Sequence, residues 1–163
     1  MFCRIDYFSA RVDDDPGAVS RLLERLAAQR VNLIAVVVAP GGPRAATVHL
    51  FPVDPVDLSK AARADGIALD GPRSAIFAQG EDRVGAFAGV LETLASAGVG
   101  APMAFSMRDG RGRFGCVVPV DPARVDAALQ ALRLRAPQES TEPGRLIERL
   151  VSGMGPGERS IGG

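Results

Sequence analysis

The chain of 163 residues is poor in the side chains that most chemistry needs. It holds one His (His49), two Cys (Cys3 and Cys116), one Tyr (Tyr7) and no Trp. A zinc site takes about four ligands, with Cys and His in short paired spacings. One His and two distant Cys do not build one, so no metal or cofactor is expected. A Ser–His–Asp triad would rest on His49, and no G-x-S-x-G elbow is present. No catalytic residue is assigned, and the chain reads as a non-enzyme. Two Cys make no disulfide scaffold; apolar, strand-like surroundings mark both as buried thiols.

Charge of one sign is also lacking. Nineteen basic residues balance nineteen acidic ones. The basic footprint of nucleic-acid binding is missing, as is that of a polybasic membrane binder. The opening Met1-Phe2-Cys3-Arg4-Ile5-Asp6 has no basic-then-apolar signal pattern. The longest apolar run, Leu33 to Ala39, falls far short of the roughly 18 residues that span a bilayer. A cytoplasmic protein with no nucleic-acid or membrane partner is expected. Apolar residues at 47% and charged ones at 23% suit a globular chain with a core.

What is present is a repeat. At a shift of 68, Asp14-Asp15-Pro16-Gly17-Ala18 lies over Asp82-Arg83-Val84-Gly85-Ala86. Leu23, Glu24, Leu26, Ala27 and Val31 lie over Leu91, Glu92, Leu94, Ala95 and Val99. At a shift of 67, Pro52-Val53-Asp54-Pro55 lies over Pro119-Val120-Asp121-Pro122. The one-residue difference is expected in the hairpin between these blocks. Residues 1–70 form one unit and 71–136 a second; a tail, 137–163, follows.

Within the first unit, residues 2–12 read as a strand. Asp14 or Asp15 suits an N-cap, with Pro16 in the first helical turn. Val19, Leu22, Leu23 and Leu26 recur at helical spacing. Residues 31–39 read as a buried strand, Pro40-Gly41-Gly42-Pro43 as a turn and 45–53 as a third strand. Pro55 opens a second helix, and Ile67-Ala68-Leu69 reads as a short fourth strand before the linker Asp70-Gly71-Pro72. The second unit repeats the order: strand 74–79, helix 83–97, strands 99–107 and 113–120, helix 122–132 and a short strand near 133–136. The fold class is α+β, two ferredoxin-like βαββαβ units with antiparallel sheets and helices on one face. The other sheet face of each unit is left bare; covering its free face or edge against another copy is the natural remedy, and the chain supplies that copy itself. In the tail, Ser140-Thr141-Glu142-Pro143 starts a short helix carrying Leu146, Ile147, Leu150 and Val151; residues 153–163 read as disordered.

The stretch Val12-Asp13-Asp14-Asp15-Pro16-Gly17-Ala18-Val19, with Leu22-Leu23-Glu24-Arg25-Leu26-Ala27 and Arg30-Val31-Asn32-Leu33, resembles the ACT domain family of small-molecule sensing modules. It is similar to that family's D-x-P-G-x-L strand-to-helix junction, and the resemblance covers residues 2–136. It implies edge-to-edge pairing into a continuous sheet, amino-acid binding at the domain interface, a homodimer and a regulatory role in amino-acid metabolism. The regulated partner would be a biosynthetic enzyme or a transcription regulator. A regulatory subunit like the acetolactate synthase small subunits is the alternative, as is a purely structural interaction module. An acylphosphatase-type enzyme finds no clear match for its phosphate loop.

The residues support such a site by themselves. The helix start at Gly17-Ala18-Val19 offers backbone N–H groups and a positive dipole end to a carboxylate. Gly17 permits close approach. The Asn32 amide donates and accepts, and the cluster Asp13 to Asp15 attracts an ammonium group. Equally, Asp14 or Asp15 caps the helix, Gly17 serves the turn and Asn32 serves an edge. The candidate ligand-binding residues are Asp14, Asp15, Gly17, Ala18, Asn32 and Leu33, with Asp82, Gly85 and Gly100 in the second unit. Val84 replaces Pro16 and Gly100 replaces Asn32 there, so the first unit is expected to retain the polar site.

Three further features read as structural. Gly110-Arg111-Gly112-Arg113-Phe114-Gly115 matches G-x-G-x-x-G but precedes a strand, so no dinucleotide site is expected. With Arg108 it reads as a solvated basic hairpin tip. His49 alternates with Thr47 and Phe51 and reads as a sheet-face histidine.

Overall fold

The computed structural model describes residues 1–135. The expected tail helix and disordered end lie outside the described residues. The elements are β1 (Phe2–Asp13), α1 (Ala18–Ala28), β2 (Leu33–Pro40), β3 (Ala45–Pro52), α2 (Pro55–Ala64), β4 (Asp70–Glu81), α3 (Ala86–Ser96), β5 (Phe105–Arg108), β6 (Arg113–Pro119) and α4 (Val125–Arg135). A 3-10 turn at Pro122–Arg124 leads into α4. The expected α+β class holds: six antiparallel strands form one sheet in the order β2-β3-β1-β4-β6-β5.

The sheet joins the two repeats at its centre. β1 and β4 pair from Phe2↔Ala78 to Tyr7↔Arg73. The pair Asp6↔Ser74 is equivalent under the 68-residue shift, so the register is centred on a pseudo-two-fold axis. This explains two corrections. Ile67 to Leu69 forms no strand, and residues 133–135 are the end of α4 rather than a strand. A fourth strand would need the side of β1 away from β3, or the side of β4 away from β6. Each of those slots is filled by the other unit's first strand. Ile67 and Leu69 pack instead against the core under α1 and α2. Asp70 to Pro72, expected as a linker, belongs to β4. Residues 99–104 likewise precede β5 rather than forming part of it.

The repeat extends to single hydrogen bonds. Asp14 N–H donates to the Arg44 carbonyl (3.1 Å), as Asp82 N–H does to Gly112 (2.9 Å). Val31 N–H reaches the Leu26 carbonyl (3.0 Å), as Val99 N–H reaches Leu94 (2.9 Å). Gly41 N–H closes its hairpin on Ala45 (2.8 Å), as Asp109 N–H does on Arg113 (3.0 Å). The hairpins therefore have equal length, and the one-residue difference is not there. Val48 and Leu50 match Cys116 and Val118 as residues facing the helices, while Pro52 matches Pro119. The unmatched residue is Phe51, at the end of β3.

Three apolar clusters fill the molecule. Leu22 and Leu26 of α1 and Leu58 and Ala61 of α2 cover Phe8, Ala10, Val48 and Leu50. Val90 and Leu94 of α3 and Ala128 and Leu132 of α4 cover Ile76, Ala78, Cys116 and Val118. The third lies on the opposite sheet face and contains no helical residue: Cys3, Ile5, Tyr7, Phe51, Ala75, Phe77 and Val117. Ile34, Ala35, Val37, Met103 and Phe105 pack against it, so the face that one unit leaves bare is buried within the chain.

Candidate functional site

α1 does not begin as expected. Its N-cap is Gly17, at φ 94°, and no side chain caps it. Pro16 lies before the helix. Asp15 gives its carbonyl to Ala18 N–H (3.2 Å) and its carboxylate to Arg21 (2.8 and 2.9 Å). Gly85 repeats the left-handed cap at φ 81°. A glycine is needed at both positions because an L side chain rarely adopts such a φ; the turn alone accounts for it. Capping by Asp occurs at the next helix, α2, where Asp54 accepts from Val56 N–H (2.7 Å) and Asp57 N–H (3.3 Å) with Pro55 following.

The strand directions decide which candidates meet. β1 ends beside Asp14, Asp15, Gly17 and Ala18. β2 runs parallel to β1, with β3 antiparallel between them, so Asn32 and Leu33 stand at the other end of the sheet. Leu33 is there in register with Pro52, and the Asn32 carbonyl accepts from Val53 N–H (3.0 Å). β4 runs opposite to β1, which puts Asp82 and Gly85 at the Asn32 end and Gly100 at the Gly17 end. Asp82 pairs with Arg108, tying its loop to its own hairpin. Thus the first unit does not gather Gly17 and Asn32 around one ligand within a single chain.

The polar groups differ in what they leave free. Asp15 and Arg21 satisfy each other over the α1 terminus; a Cβ on Gly17 would lie 3.0 Å from Arg21 Nη1. Arg21, which the sequence shows only as part of a polar helix face, is thus a cation held over the α1 terminus. Its partner lies across the turn, outside the i,i+4 spacing that a helix pattern reveals. Asn32 is exposed, and its amide makes no hydrogen bond among the described residues. Gly100 is exposed with open space around it.

His49 lies on the sheet face away from the helices. Its Nδ1 is 2.9 Å from Ser9 Oγ, and its ring meets Tyr7 edge-on. Burial lowers its pKa below the ordinary histidine value, and the Arg73 guanidinium lowers it further. Cys3 and Cys116 are buried free thiols. Burial raises both, Cys116 to about 11. Among the described residues no helix is long and apolar enough to cross a membrane.

No protein-family model matches the chain, and no curated protein matches it. Solved structures do. Protein BT0572 from Bacteroides thetaiotaomicron is 19% identical with a TM-score of 0.71, over 82% of this chain and 90% of that one. The ligand-free regulatory subunit of aspartate kinase from Thermus thermophilus is 16% identical with a TM-score of 0.59, over 82% and 95%. Aspartate kinase from Synechocystis is 19% identical with a TM-score of 0.60, over 87% of this chain and 27% of that one. These likenesses show the fold, which is ACT-like.

Proposed function

We propose that this chain is a non-catalytic, cytoplasmic regulator of amino-acid metabolism, built from two ACT-like units (1–70 and 71–136), that binds a free amino acid as a homodimer. The observation that carries the reading is the placement of Asn32 and Gly17 at opposite ends of a unit whose β2 edge has no strand partner among the described residues. Strands paired antiparallel across a two-fold axis bring the start of one beside the end of the other. Two copies joined through β2 therefore set Asn32 of each toward the Gly17 end of its partner. An N–H-rich helix start then faces an amide, which suits a carboxylate and an ammonium group.

The two sheet edges differ in a way that favours β2. Leu-Ile-Ala-Val-Val-Val-Ala-Pro is eight residues long and uncharged, the kind of edge that templates pairing. β5 has four residues and ends in Arg108, features that blunt an edge. A regulatory role agrees with the aspartate kinase regulatory subunit of similar fold. The regulated partner is a separate biosynthetic enzyme or transcription regulator.

A thermal-shift panel of the free amino acids tests the ligand. Binding to the native state alone adds about 2.7 kcal/mol at a hundredfold excess over Kd. One amino acid raising the midpoint, lost in Asn32→Ala, is expected. A flat panel overturns the ligand reading. Sedimentation gives the second test: a dimer broken by Val38→Lys, at an exposed β2 position, is expected, and a wild-type monomer overturns the β2 pairing.

A further inference from the structure

The duplication supplies an internal control for surface chemistry. The two β-hairpins and the turns they touch share the backbone hydrogen bonds that close them, yet their side chains diverge. Where the first unit has Asp15, Pro40, Pro43 and Ala45, the second has Arg83, Arg108, Arg111 and Arg113. Pro16 and Ala39 correspond to Val84 and Met107. The shared backbone forms with either set, so the fold does not require the arginines. All six second-unit residues are exposed, Val84 at 106% and Met107 at 76%.

Four arginines meet three acids at this corner, Glu81, Asp82 and Asp109, which leaves one positive charge in excess. Asp82 pairs with Arg108. The Asp109 carboxylate accepts from the backbone N–H of Arg111 (2.8 Å) and Arg113 (3.0 Å), bonds that hold the hairpin and lower its pKa. Glu81 is in register with Arg113 but forms no ion pair among the described residues. Arg83, Arg111 and Arg113 form no close ion pair among the described residues, although Arg111 and Arg113 act on the Asp109 carboxylate through space. Asp82 N–H donates to the Gly112 carbonyl, which keeps Arg83 beside the hairpin.

We propose that this corner, with the outer edge of β5, docks an extended acidic segment of a partner protein. Among the described residues β5 has a strand neighbour on one side only, so its outer edge can add a strand. Arg and Met are enriched at protein interfaces, and exposed Met107 and Val84 offer apolar contact between the guanidiniums. Single-stranded nucleic acid needs aromatic platforms, and none of the six residues is aromatic. The charge on β5 also opposes self-pairing, which separates this surface from the β2 edge. The inference stands independently of amino-acid binding.

The test uses the full chain and a fluorescent synthetic peptide of alternating Glu and Val, read by anisotropy. Saturable binding that weakens with salt is expected. Arg83→Glu with Arg111→Glu should lose roughly tenfold in affinity, two exposed pairs being turned into repulsions. Arg44→Glu at the matching corner of the first unit should bind as wild type. Hydrogen exchange should slow at residues 105–108 on peptide addition. No saturable binding, equal binding by the double variant, or protection confined elsewhere overturns the proposal. So does tighter binding of a DNA duplex of equal charge or of phosphatidylserine vesicles.

Discussion

Phe51 on β3 and Phe105 on β5 meet edge to face, ring centroids 5.5 Å apart at 63°, although β1, β4 and β6 lie between their strands. In a flat sheet four strand spacings would separate them by about 19 Å. The sheet therefore curls toward its helix-free face, and the two ends of the strand order cover that face. Phe51 also stacks on Tyr7 (4.9 Å) and is fully buried. It is the residue by which the first repeat is longer than the second.

Phe51→Ala should accordingly cost about 3–5 kcal/mol, the range for an aromatic removed from a core. Phe105 is only half-buried, so Phe105→Ala should cost less. Denaturant unfolding of both variants measures the difference. A Phe51→Ala cost no greater than that of a surface substitution would show that the helix-free face is not a core.

The thiols should be silent in the native protein. Cys116 is pushed up to about 11 and Cys3 is raised, so little thiolate exists at neutral pH. A colorimetric thiol reagent should report slow modification of the folded chain and rapid modification of both thiols in denaturant. Fast native labelling of either one would contradict its burial.

His49 is the one histidine, so its titration is read without overlap. Its native pKa lies below the ordinary value near 6.5, through burial first and Arg73 second. As pH falls through about 6.5 the unfolded chain takes up a proton before the native state does. Stability should decrease from there until the native pKa is reached, then level off. His49→Gln should remove that slope while keeping a partner for Ser9. An imidazole NMR midpoint at or above 6.5 would refute the shift.

Much of the fold is legible because repeated blocks mark equivalent elements. The spacing of Leu22 and Leu26 and the helix-opening Pro55 belong to the segments that carry them. The short strands expected at 67–69 and 133–136 fail for a reason outside those segments: β1 and β4 occupy each other's flank. The curl that buries Phe51 is similarly a property of the whole sheet. For the site, Asn32 was recognisable as a polar residue opening a strand. That it stands at the far end from Gly17 follows only from strand direction.

Asp54, which caps α2, and Asp15, expected to cap α1, should respond differently to removal. Asp54 accepts two backbone N–H groups at the start of α2, whereas Asp15 forms an exposed ion pair with Arg21 and caps nothing. A capping acid replaced by Ala costs about 1 kcal/mol, while an exposed ion pair contributes about 0.2–1 kcal/mol and weakens with salt. Asp54→Ala should therefore lower the unfolding free energy by about 1 kcal/mol at any ionic strength. Asp15→Ala should cost a fraction of that in low salt and almost nothing in high salt. Urea unfolding of both variants at two salt concentrations separates the cases. Equal, salt-independent losses would mean that Asp15 caps α1 in solution, and the left-handed Gly17 would then not be the true helix start.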